Sequence, residues 1–216
     1  MKRRAAQLVL LLALAVPSAA YADQAPTYAG PTNAAENSFV SELSQYLMDT
    51  YPTAADAEKA GFVRYTGVDD AGSISYAKRE WTSSDYKHPC QLWYSTSGKL
   101  LGADYCVPVA VSPGQPNLWG INPGRWGEFN GHIHYVTKDP ATGQMKYDQW
   151  VWEKTFADAG GDINNPSAAT LVALHKVASA DQVVTIFHFP SVWDLVVWAI
   201  PNPAGAFVWN NPNVKP

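Results

Sequence analysis

Cys90-Gln-Leu-Trp-Tyr-Ser-Thr-Ser-Gly-Lys-Leu-Leu-Gly-Ala-Asp-Tyr-Cys106 reads as two strands around a turn. Apolar runs on either side of Ser97-Gly98 carry the signature of a β-hairpin. Folding the segment about Gly98 pairs residues whose numbers sum to 196, which sets Cys90 opposite Cys106. The chain has no other cysteine. A structural cross-strand disulfide is therefore expected, worth about 3 kcal/mol in the chain-entropy description of a loop this size. The compact Cys-x-x-Cys spacing of a redox-active pair is absent.

A structural disulfide calls for an oxidising compartment, and the start of the chain agrees. Lys2, Arg3 and Arg4 precede an apolar run from Leu8 to Val16, and Ala20-Tyr-Ala22 forms a small-x-small site before Asp23. Residues 1–22 read as a signal peptide, too short in its apolar part to span a bilayer. The expectation is a secreted or periplasmic protein whose residues 23–216 form one domain. Removing the three basic residues takes the formal charge from −4 to −7. An acidic chain without a Lys/Arg cluster argues against nucleic acid and against a membrane surface as partners. A small-molecule ligand or substrate is left, and the oligomeric state stays open. Hydrophobic residues make up 47% and charged residues 16%, which is a folding composition.

Outward from the hairpin, the periodicity switches between helix and strand. Asn33 with Glu36 three residues on is a capping pattern, and Phe39, Val40, Leu43, Tyr46 and Leu47 recur at helical spacing over Ala34 to Asp49. A short second helix is expected from Thr53 to Gly61, then strands at Phe62–Thr66 and Ser73–Trp81. Residues 107–130 are rich in Pro and Gly and read as a long functional loop. A second hairpin is expected from His132–Thr137 and Met145–Lys154, followed by a helix from Ser167 to about Ala178. Val183–Phe189 and Val192–Ile200 close the list, the last apolar on both faces and hence central. The sum is an α+β fold: a largely antiparallel sheet built from hairpins, two N-terminal helices and one late helix.

The chemistry concentrates at the end of the long loop. In a strand, His132 and His134 point to one face with Ile133 on the other, so both imidazoles can reach one ion at about 2.1 Å. His188, on a later strand beside Val184 and Ile186, is the candidate third ligand. Three imidazoles with an open position suit zinc first, and copper or iron as well. Glu128 is then the candidate catalytic base acting on metal-bound water. If Lys138 faces Gln144, Asp148 lies opposite His134 as a supporting hydrogen-bond partner. Trp119 and Trp126 are expected to form an apolar pocket rim. The competing readings are histidines satisfied in the core, and a non-catalytic module that stacks a carbohydrate or other small ligand on exposed tryptophans. Nine Trp and eleven Tyr give that second reading its material. No nucleophile elbow, His-Glu-x-x-His helix, phosphate-binding loop or dinucleotide fingerprint is present.

The glycine followed by His-x-His resembles the opening of the cupin metal motif. The spacing from Gly127 is off by one and the expected glutamate is missing after His134. A wider pattern runs from His88-Pro89 through Leu92-Trp-Tyr94, Leu101-Gly102 and Tyr105 to His132-x-His134 and Trp198-Ala-Ile-Pro-Asn-Pro-Ala-Gly-Ala-Phe207. It resembles a group of secreted bacterial proteins that share the His-x-His and a C-terminal Pro-Asn-Pro turn. That resemblance implies a shared architecture and brings no activity with it.

Overall fold

A computed structural model describes residues 23–215; the expected signal peptide lies outside the described residues. The fold is α+β, with nine strands in two antiparallel sheets. Helix α1 (Ala34–Thr50) starts at Asn33, whose side chain accepts from the Glu36 N–H while the Glu36 carboxylate accepts from the Asn33 N–H. Both halves of the capping box thus satisfy N–H groups that a helix start leaves without partners. Helix α2 (Ala54–Lys59) is capped by Thr53 and followed by Gly61 at φ 90°.

The larger sheet contains β1 (Val63–Arg64), β2 (Ile74–Ala77), β3 (Gln91–Tyr94), β4 (Leu100–Pro108), β5 (Gly127–Phe129) and β9 (Val192–Trp198). Its order is β1-β2-β3-β4-β9-β5. As expected, β9 is internal, lying between β4 and β5 with every residue buried. The smaller sheet has β6 (His132–Lys138) between β7 (Met145–Trp152) and β8 (Val183–Phe189). Helix α3 (Glu153–Asp158), not foreseen, takes up the end of the expected strand, and α4 (Ala168–Ala173) is shorter than its apolar spacing implied.

Alternation along the strands sorts the layers. On one face of the larger sheet Leu92, Tyr94, Tyr105, Leu195 and Val197 pack on Phe39, Leu43 and Leu47 of α1. On one face of the smaller sheet Ile133, Tyr135 and Val151 pack with Phe156 of α3 and Leu171 of α4. The remaining faces of the two sheets confront one another, so the order is helix, sheet, sheet, helices. Between the sheets Cys90 and Cys106 form the expected disulfide, with Cα atoms 5.8 Å apart. The hairpin register differs from the expected sum of 196: Gln91 pairs with Asp104 and, after a bulge, Tyr94 pairs with Leu100. Cys90 therefore sits one residue ahead of the ladder.

The long loop is pinned by an ion pair. The Arg125 guanidinium donates from Nε to Glu36 Oε1 at 3.1 Å and from Nη2 to Glu36 Oε2 at 3.2 Å. Nη2 also donates to the carbonyls of Gly30 and Pro31. Glu36 Oε1 accepts from the Asn122 N–H as well. Burial pushes the Glu36 carboxyl up, but the hydrogen bonds from Arg125, Asn122 and Asn33 outweigh it and hold the group below its usual range. Removing one partner strands a buried charge, a change that costs about 3–5 kcal/mol. Arg125→Met is accordingly expected to lower unfolding stability in urea by about that amount. Adding Glu36→Gln should return much of the loss, because the stranded charge is then gone.

Candidate functional site

The two confronting faces enclose a cavity of about 540 Å³, within the roughly 300–1,000 Å³ typical of small-molecule sites. Its smaller-sheet wall is built by register. His132 lies between Phe189 and Trp152, and His134 between Phe187 and Trp150. Each imidazole stacks on its phenylalanine, with centroids 4.6 Å apart at His132 and 5.6 Å at His134. Trp150 and Trp152 meet edge to face at 4.5 Å, and Trp150 stays 45% exposed at the mouth. The opposite wall carries Trp93, Asp104, Asp194 and Trp198, and Trp209 of the C-terminal tail closes one side.

The carboxyls come together because diagonal neighbours on adjacent antiparallel strands share a face. Asp104 pairs with Val196, and Cys106 with Asp194. The two carboxyls therefore share one face of adjacent strands. Asp104 Oδ2 accepts from Trp93 Nε1 at 2.8 Å, and Asp194 Oδ1 lies 3.8 Å from Cys106 Sγ. Asp104 Oδ1 meets no donor in the protein. Burial, then the charge of Asp194, pushes Asp104 well above the usual carboxylate range. Burial likewise lifts Asp194, to about 7, against the lowering effect of its hydrogen bond with Asp104.

The histidines shift the other way. Burial, then the neighbouring His132, takes His134 down to about 3. Burial also lowers His132, more than the Asn130 carbonyl raises it. His132 Nδ1 lies 2.8 Å from that carbonyl oxygen. A carbonyl only accepts, so Nδ1 carries the hydrogen and Nε2 keeps its lone pair. Tyr65 sets its ring edge-on to His134 at 4.8 Å and donates its hydroxyl to Gln91 Oε1. The cavity thus sets neutral imidazoles on one wall against two carboxyls of raised proton affinity on the other.

Several expected site residues lie elsewhere. His188 pairs with Ile133, which puts it on the face opposite His132 and His134; there its Nε2 meets Glu153 Oε2 at 2.9 Å. The three imidazoles therefore do not converge. Glu128 pairs with Trp193 on the α1 side of the larger sheet, away from the cavity. Lys138 pairs with Met145 rather than Gln144, and Asp148 occupies a bulge at φ 59° that shifts the register by one more, so Trp150 rather than Asp148 faces His134. Its carboxylate instead accepts from the Gly67 N–H at 2.8 Å at the cavity edge. Trp119 and Trp126 form no rim: Trp119 stacks on Phe39 at 5.4 Å and Trp126 is fully buried beneath α1. Among the described residues, Cys90, Cys106 and Asp194 alone form a group of three with metal-ligand spacing, but both sulfurs are committed to the disulfide.

The sequence did not single out Asp104, Trp93, Trp152, Trp198 or Trp209. One signal was available: Asp104 and Asp194 are lone acids inside otherwise apolar strands, where a charge needs a reason.

These shifts fix how stability responds to pH. Folded Asp194 keeps its proton up to about 7, whereas the unfolded chain loses it near 3.9. Stability therefore falls as pH rises from about 4 through 7. For His134 the folded form refuses, down to about 3, a proton that the unfolded chain takes near 6.5. Its contribution falls as pH drops from 6.5. Asp194→Asn removes the first effect and leaves the second. The variant should gain on the wild type by up to about 1.4 kcal/mol per pH unit between pH 4 and 7. Urea titrations across that range measure the difference, and a flat difference would rule out the raised proton affinity of Asp194. No family, no curated protein and no solved structure matches the chain.

Proposed function

We propose that this is an exported protein that binds a small molecule in the cavity between its two sheets. The observation that carries the reading is a concentration of unmet hydrogen-bonding groups. Among the described residues, buried polar side-chain atoms without a partner are Asp104 Oδ1, His134 Nδ1, Trp209 Nε1 and Trp126 Nε1. The first three belong to residues that line this one cavity. Buried polar groups without partners are expensive and uncommon, and a ligand that meets them recovers that cost on binding. The aromatic walls supply area at little loss of conformational freedom. Export is supported by the disulfide and by the signal-like start of the chain, and no helix among the described residues is long and apolar enough to cross a membrane.

The histidine pair takes a different role from the one its spacing suggested. With His188 behind the sheet, His132 and His134 act as walls and hydrogen-bonding groups of the cavity. The reading is tested by thermal shift against a chemically mixed set of small molecules. Saturation at a hundred times Kd stabilises by about 2.7 kcal/mol, which is roughly 5–10 °C for a domain of this length. One chemical class should produce such a shift, and Trp150→Ala at the mouth should reduce it. A uniformly negative screen would overturn the proposal, and so would shifts that Trp150→Ala leaves untouched.

A further inference from the structure

Resting on that reading, we infer that the ligand is an uncharged, hydroxyl-rich ring compound, a mono- or disaccharide, and not an organic cation or anion. The hydrogen-bond inventory of the cavity decides between these classes. Trp209 Nε1 can only donate. His134 Nδ1 offers one donor or one lone pair, and Asp104 offers an acceptor oxygen, Oδ1. A ligand that satisfies all three must donate and accept from neighbouring atoms, as sugar hydroxyls do. An ammonium compound only donates and leaves the Trp209 N–H unmet. A carboxylate only accepts, and among the described residues no Lys or Arg lines the cavity to balance an anion's charge. A hydrocarbon meets none of the three.

Of the four acids at the cavity rim, Asp23, Asp69 and Asp148 are engaged in holding loops, and Asp70 is not. Asp69 accepts from the N–H groups of Ala71 and Ser73 and from the Ser73 hydroxyl. Asp148 accepts from Gly67, and Asp23 from Asn130. Deeper in, His134 is only 5% exposed and Asp194 only 2%, a depth at which burying a charged guest is costly. Trp150 and Trp152, side by side on the cavity face of β7, add apolar area of the kind that packs on the carbon–hydrogen face of a sugar ring.

The test is a titration of the intact chain, followed by tryptophan fluorescence and calorimetry. Glucose, galactose, mannose, N-acetylglucosamine, maltose and cellobiose serve as sugar probes, with choline, putrescine and acetate as charged ones. At least one sugar should bind saturably. Trp209→Phe, which keeps a ring and removes the N–H, should weaken it about tenfold, and Trp150→Ala, at a half-exposed site that folding tolerates, should weaken it as well. Binding of choline, putrescine or acetate while every sugar is inert would overturn the sugar assignment and leave the small-molecule site standing. Sugar binding that neither substitution alters would place the sugar elsewhere and overturn the assignment too. Silence from every probe together with a negative thermal-shift screen would remove both readings.

Discussion

The chain passes between its two sheets twice, at Asn130-Gly131 and at Pro190-Ser191, and the two passages are tied where the Gly131 N–H donates to Ser191 Oγ at 2.8 Å. That contact fixes how β5 leads into β6 and how β8 leads into β9, so it sets one sheet over the other. A Cβ at position 131 would come within 2.1 Å of Glu153 Oε2, so that side chain would have to shift, and within 3.3 Å of the Ser191 nitrogen. Glu153 is in turn held by His188. The histidine that the sequence offered as a metal ligand therefore works behind the smaller sheet, bracing the crossing. With the crossing fixed, the cavity face of β6 meets the cavity faces of β4 and β9, and the imidazoles and carboxyls come to line one space.

Local signals were legible where local physics sets the structure. The Asn33–Glu36 capping box, the Thr53 cap, the turn at Gly98 and the alternation that puts His132 and His134 on one face all follow from near neighbours. Side-chain direction on distant strands did not follow, because it depends on register parity. A shift of one residue exchanges the faces of a strand. Bulges in β3–β4, β6–β7 and β6–β8 each move the count. His188 ended on the wrong face for that reason, and Asp148 was displaced into a bulge. Trp119 and Trp126 were misjudged on another ground: aromatics near a breaker-rich loop fit a rim and a core equally well, and only the docking of α1 decides. The division into two sheets is likewise tertiary, since each strand pairs much as a single sheet would have it.

The cavity is costly for its own fold. Two carboxyls sit in an apolar layer beside a disulfide, and two imidazoles are kept neutral against their tendency to protonate. A core built only for stability would replace these groups with aliphatic side chains of similar volume. The surrounding structure absorbs the cost through the α1 layer, the buried Arg125–Glu36 pair and the disulfide, and of these only the α1 layer holds an unmet polar atom, Trp126 Nε1. Polar groups kept unpaired in a cavity lower the stability of a fold unless a ligand meets them.

Two carboxyls in a sugar-sized cavity also raise glycoside hydrolysis, and their geometry argues against it. That reaction places one carboxyl on each side of the scissile bond, about 5–5.5 Å apart for retention and more for inversion. Asp104 and Asp194 project from adjacent strands of one wall. Both would contact the same side of a bound ring, and burial pushes Asp104 well above the usual carboxylate range, which withholds the second charged carboxylate that a nucleophile or base requires. Such a pair can offer a sugar acceptor oxygens from one side of the ring. The feature that most resembles catalytic machinery thus lacks the opposed geometry that glycoside cleavage requires.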